Sequence, residues 1–318
     1  MKDFFKKIRS HAAVAQGDFG YLFRKADIPP LPAAVSRLVI EINSPEPDLD
    51  RLSMLISSSP GLAAKLIKTV NSSFYGLRVP VDSVKRAVTL LGIDQVRTLA
   101  LAFATMDALP MPVSEGFSLT VFWTDALLRG ALARNLASKS FSDHLEQSFT
   151  VGLLADLALP VLLNGWPEYY TPVFAEYQSD SRSLAEIERQ HFGWDHAQAG
   201  AWILQSWGFP DELVCCLAFH AQSLKELGKI SLDDTLVAPL AVASLLPSVN
   251  RVTLPLLEVF RDAAKDWLGF SAAELLHVVG EVSNYMDEVH DLLSLPATPI
   301  RALLEELEQC CTAGEGGE

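Results

Sequence analysis

Between Gln147 and Glu168 the chain reads SFTVGLLADLALPVLLNGWP, and Asp156 is the sole ionisable side chain in that apolar run. A carboxylate placed there needs protonation, a hydrogen bond, a paired cation or a bound metal, because an unpaired buried charge is costly. Which of these applies decides whether the residue does chemistry. The nearby histidines limit the options. His191 and His196 are five residues apart across Gly193, so they cannot share a helical face as the ligands of a His-Glu-x-x-His site do. His144, His277 and His290 stand singly at helical positions and read as surface or satisfied residues. The chain has no Gly-x-x-x-x-Gly-Lys-Ser/Thr phosphate loop and no strand leading into a Gly-x-Gly-x-x-Gly turn. A serine nucleophile elbow is absent as well.

The elements that must position these residues are helices. Apolar residues at Ala34, Val35, Leu38, Val39 and Ile42 repeat at helical spacing, and that segment ends at Asn43-Ser44-Pro45. Asp48 opens a second helix. Ser59 and Pro60 are placed to cap and start a third, whose face is Leu62, Leu66, Ile67 and Val70. Gly92 is expected to stop one helix and Asp94 to cap the next. Two prolines and a glycine break the pattern between Asp107 and Phe117. Further helices are predicted at 120–139, 144–159, 183–191, 195–207, 211–221, 254–268 and 271–293. Ser183 with Glu186 reads as a capping box, and Gly208 followed by Pro210 as a stop. Alternating runs are too few for a sheet, so the chain is predicted to be all-α.

At 318 residues, 49% of them hydrophobic, the chain can form one large helical domain or two modest ones. Asp156 and Pro160 interrupt the best candidate for a bilayer span, and Met1 to Ser10 lacks the apolar core of a secretory signal, so a cytoplasmic protein without stable membrane insertion is expected. The net charge of −14 is uneven: residues 1–25 carry Lys2, Lys6, Lys7, Arg9, Arg24 and Lys25 against Asp3 and Asp18, which leaves −18 on the remainder. An acidic body repels phosphate backbones, so nucleic acid is not an expected partner. Cys215-Cys216 and Cys310-Cys311 have no metal-binding spacing; the first pair reads as buried in a helix and the second as exposed near a frayed end.

The segments IPPLPAAVSRLVIEINSPEPDLDRLSMLISSSPGLAAKLIKTVNSSFYG, VDSVKRAVTLLGIDQVRTLALA, Phe122-Trp123, GLLADLALPVLL and FGWDHAQAGAWILQSWGFP occur in that order. Together they resemble the HDOD family, non-catalytic relatives of the HD-domain metal-dependent phosphohydrolases found in bacterial signalling proteins. The resemblance covers about Asp27 to Gln222. It implies an N-terminal subdomain of helical hairpins followed by an HD-like helical bundle. The organisation expected is a basic lead-in at 1–25, the N-terminal subdomain at 26–108, the bundle at 118–222, a C-terminal helical extension at 223–311 and a disordered tail at 312–318. Leu275, Leu276, Val279, Val282, Met286 and Val289 form one face of the extension, to be buried within the chain or, second, in a homodimer.

The resemblance also bears on Asp156. HD enzymes join a histidine on one helix, a His-Asp doublet on another and later His or Asp residues around one or two divalent ions that activate water. Here the first position is Asp125, the doublet is Ala155-Asp156, and His196 and His220 match later positions. The doublet has lost its histidine. Asp156 is therefore expected to hydrogen-bond within the bundle, to His196 or His220, as a relic of the ancestral site. The expected function is a non-catalytic regulatory module that binds a signalling protein or a small signal molecule, with no cofactor and no hydrolysis of nucleotides or cyclic dinucleotides. The alternative is a divalent metal held by Asp125, Asp156, His196 and His220, as a sensor or residual phosphohydrolase.

Overall fold

The computed structural model describes residues 33–313 apart from 45, 47, 73, 74, 113, 115 and 294–296. The basic lead-in and the residues beyond 313 lie outside the described residues. Among those described, the regular structure is entirely helical.

Five helices come first: α1 (Ala33–Ile42), α2 (Leu49–Ser57), α3 (Pro60–Val70), α4 (Val84–Leu91) and α5 (Ile93–Ala108). Val35, Leu38, Leu52, Ile56, Leu62, Leu66 and Val70 are all buried, as the helical spacing requires. Asp48 caps α2 by accepting from the Arg51 amide. Two expected caps differ. Ser59 makes no side-chain cap bond, and Gly92, at φ 94°, both ends α4 and starts α5, which puts Asp94 inside the first turn. A positive φ at the junction suits glycine better than any residue with a Cβ.

α6 (Leu119–Ala137) and α7 (Leu145–Leu154) form the centre of the bundle. Their backbones meet at a glycine pair: a Cβ on Gly152 would lie 2.7 Å from the Gly130 Cα, and one on Gly130 would lie 2.9 Å from the Phe149 carbonyl oxygen. Only bare backbone permits that approach. A single helix over 144–159 does not form, because the chain turns at 155–157 and resumes as α8 (Ala158–Gly165). The segment Ser142–Gly165 is long and apolar enough by composition to cross a membrane, contrary to the sequence expectation, and 83% of its apolar window is buried inside the protein. A core helix meets the same criterion.

α9 (Pro167–Ser179), α10 (Leu184–Phe192), α11 (His196–Ser206) and α12 (Asp211–Phe219) complete the bundle. Ser183 and Glu186 form the expected capping box on α10, and Asp195 and Gln198 form another on α11. The chain continues through α13 (Leu224–Lys229), α14 (Val237–Ala243), α15 (Leu254–Leu268), α16 (Ala272–Leu293) and α17 (Ala297–Ala313). α16 packs on α6, α17 and α3. Its Leu275, Val279, Val282, Met286 and Val289 are buried within the chain. Cys310 and Cys311 are also buried, at 2% and 0% exposure, so they are not the exposed thiols expected near a frayed end. α17 continues through Thr312 to Ala313, where a disordered tail was expected.

Candidate functional site

The turn at 155–157 presents Asp156 to three other elements. Arg129 of α6 reaches it first, with Nη2 2.5 Å from Asp156 Oδ2. The other oxygen, Oδ1, faces two imidazoles: His196 Nε2 at 3.2 Å and His220 Nε2 at 3.6 Å. The close crossing at Gly130 and Gly152 sets the spacing, since Arg129 adjoins one glycine and Asp156 follows the other by four residues.

Each imidazole is also held from behind. His196 Nδ1 lies 2.6 Å from Glu188 Oε2, and the same oxygen accepts the His196 backbone N–H at 2.8 Å. Tyr170 donates its hydroxyl to the other oxygen of Glu188. Glu188 and Asp195 are fully buried, and Asp195 anchors the start of α11 while pairing with Arg189 at 2.7 Å. His220 Nδ1 lies 2.7 Å from the Leu217 carbonyl oxygen. A carbonyl only accepts, so that nitrogen carries a proton.

The electrostatics differentiate the two rings. Burial alone would lower the His196 pKa, but Glu188 on one side and Asp156 on the other raise it well above the ordinary histidine value. His196 is therefore an imidazolium bridging two carboxylates. For His220, burial and the neighbouring His196 charge lower the pKa despite Asp156. His220 Nε2 stands 3.6 Å from Asp156 Oδ1, beyond hydrogen-bond distance. Burial opposes ionisation of Asp156, but Arg129 and the two histidines hold its pKa well below the carboxylate range.

Spacing and charge give different answers for a metal ion. Donor atoms of Asp156, His196 and His220 lie within 4.8 Å of one another, close enough to share one ion, and both histidines have the backing partners that orient metal ligands. The charge is already balanced, however: Arg129 and the His196 imidazolium neutralise Asp156 and Glu188. A divalent cation would have to compete with that guanidinium and that proton for Asp156.

Two of the other expected positions stand apart. Ala155 is fully buried at the end of α7 and offers no ligand. Asp125 does not join the triad. Its Oδ1 accepts the Val249 amide at 2.9 Å, and burial raises its pKa to about 6, against the lowering effect of bonds from Ser248 and Val249. Sequence reasoning missed Arg129, Glu188 and Tyr170. Arg129 lies one helical turn after Asp125 within an apolar stretch, and Glu188 lies one turn after Leu184 on the buried face of α10; either charge on an apolar face was a usable signal.

Among known proteins, the HDOD domain model matches residues 28–223, more than half of the chain. An uncharacterised protein of Treponema pallidum is 27% identical over 198 residues, covering 61% of this chain and 37% of its own. The cyclic di-GMP phosphodiesterase CdgJ of Vibrio cholerae is 28% identical over 146 residues, covering 43% of this chain and 32% of its own. The chain thus spans about a third of the length of the curated relatives it matches. An HDOD domain protein of unknown function from Geobacter sulfurreducens has a similar fold, with a TM-score of 0.61 at 19% identity over 94% of this chain and 99% of that one. With that match over its N-terminal helices and bundle, the chain belongs to the HDOD domain family.

Proposed function

We propose that this chain is a non-catalytic regulatory module of the HDOD type, working in the cytoplasm by binding a signalling protein or a small signal molecule. The observation that carries this reading is Arg129 on Asp156, 2.5 Å from Oδ2. A guanidinium there supplies the positive charge that an ion supplies in an HD phosphohydrolase, and it neither activates water nor exchanges ligands. The phosphodiesterase activity in CdgJ's name stays with that protein, of which 32% is matched. The test is elemental analysis of the purified chain together with hydrolysis assays on cyclic di-GMP and a generic phosphodiester, with manganese and magnesium. Stoichiometric metal, or turnover abolished by Asp156→Ala, overturns the reading.

One observation favours a second reading. Donor atoms of Asp156, His196 and His220 lie within 4.8 Å of one another, with Glu188 and the Leu217 carbonyl behind the two rings. One ion could take a donor atom from each, so a divalent metal at Asp156, His196 and His220 is the alternative once Arg129 is displaced.

A further inference from the structure

α6 carries two charged residues one turn apart, Asp125 and Arg129, and they serve different parts of the molecule. Arg129 pairs with the triad, whereas Asp125 holds the backbone of the C-terminal extension through the Val249 amide at 2.9 Å. The segment held is 244–253, which joins α14 to α15 without helical structure. Two residues after Val249, Arg251 anchors the same segment on the opposite side. Its guanidinium lies 3.8 Å from the centre of the Tyr177 ring, and it donates to the carbonyls of Asp180 and Arg182. Tyr177 belongs to α9, and residues 180–182 lead into α10, the helix of Glu188.

The segment therefore runs from the wall that supplies Arg129 to the wall that leads to Glu188. Tyr177 lies close enough to the site for Asp125 and Asp156 both to act on its hydroxyl, whose pKa is raised, first by burial. Pro247 and Val249 are buried along the way, with Asn250 facing solvent. Both anchors are specific bonds rather than apolar packing alone: one is a carboxylate on an amide, the other a stacked guanidinium on two carbonyls.

We propose that residues 245–251 form a strap across the mouth of the Asp156 site, fastened at Asp125 and at Arg251, so that access to the site is controlled by the C-terminal extension. This rests on the proposed function, with the Asp156 site taken as the place where its small signal molecule binds. It also gives Asp125 a role, since the carboxylate at the first position of the old metal constellation fastens the strap instead of facing an ion.

The test combines Asp125→Ala with Arg251→Ala in the full chain. Amide hydrogen exchange across 246–251 should accelerate at least tenfold. Reaction of His220 with diethyl pyrocarbonate, followed by peptide mass spectrometry, should rise at least fivefold relative to exposed His277, with the helical circular dichroism unchanged. Asp125→Asn, which keeps an acceptor for Val249, should leave both readouts near the parent values. Fast exchange of the strap with His220 still protected overturns the proposal, as does unchanged exchange in the double variant. If the double variant loses its helical signal, Arg251→Ala alone is judged by the same two readouts. Metal content is not part of these readouts, so bound metal would refute the non-catalytic reading and leave the strap standing.

Discussion

Two carboxylates at opposite ends of one apolar stretch, Glu146 buried and Asp156 half-buried, are each answered by an arginine of α6, with different results. Glu146, at the start of α7, accepts Arg134 Nε at 3.1 Å and the Tyr75 hydroxyl at 2.5 Å, and the Arg134 guanidinium lies 5.1 Å from the centre of the Tyr75 ring. Asp156, just past the end of α7, accepts Arg129 and faces two imidazoles. The first cluster joins the N-terminal helices to the bundle and has no feature that calls for a ligand. The second has the same pairing plus two imidazole nitrogens facing one carboxylate oxygen. A salt bridge by itself thus does not mark a functional site; the histidines and the residues behind them do.

The contrast fails if the first cluster is not the stronger joint. Glu146→Ala removes the acceptor shared by Tyr75 and Arg134 and leaves a largely buried guanidinium without it. A loss of about 3–4 kcal/mol is expected in urea denaturation. Gly152→Ala tests the crossing on which both clusters depend. Its new Cβ meets backbone atoms that no rotamer change can move, so a loss of about 1–3 kcal/mol is expected by the same measurement.

Arg129→Met separates the two clusters by their response to metal. It removes the cation that balances Asp156, and added manganese should then raise the thermal midpoint of the variant but not of the parent chain. Arg134→Met, the matching change in the first cluster, should gain no such response. A parent chain that responds equally would put the metal reading first.

Acid and base should act differently on members of the second cluster. The raised His196 pKa contributes stability in full below about pH 6.5, lost as pH rises through the higher folded value. The lowered Asp156 pKa contributes stability above about pH 3.9, lost only in stronger acid. Stability measured from pH 7 to 10 should therefore decline in the parent chain, and His196→Gln should flatten that decline. Asp125 responds over a lower pH range. With a folded pKa of about 6, its contribution falls as pH rises from about 4 to 6. Asp125→Asn should gain up to about 3 kcal/mol above pH 6 and nothing below pH 4.

Much of this was legible in local sequence. The capping box at Ser183, the buried face of α1 and the limits of α15 follow from spacing and from polar side chains beside their own backbone. The expectation of one helix over 144–159 failed because most residues around Asp156 favour helix or burial, and their spacing does not mark the turn at 155–157. Cys310 and Cys311 misled for a similar reason: nearness to the end of the chain says nothing about burial when α17 packs on α15 and α16.

Residue types and their local spacing were enough to establish that the chain is helical, that it resembles the HDOD family and that one carboxylate sits where only a partner could make it stable. They also named His196 and His220 as candidates to face that carboxylate. The packed fold was needed to show that Arg129 takes one oxygen, that Glu188 charges His196, and that Asp125 turns to the C-terminal segment. The physical reason is the range of the interactions: helix caps and apolar spacing act within a few residues, whereas charge pairing depends on which helices approach at Gly130 and Gly152.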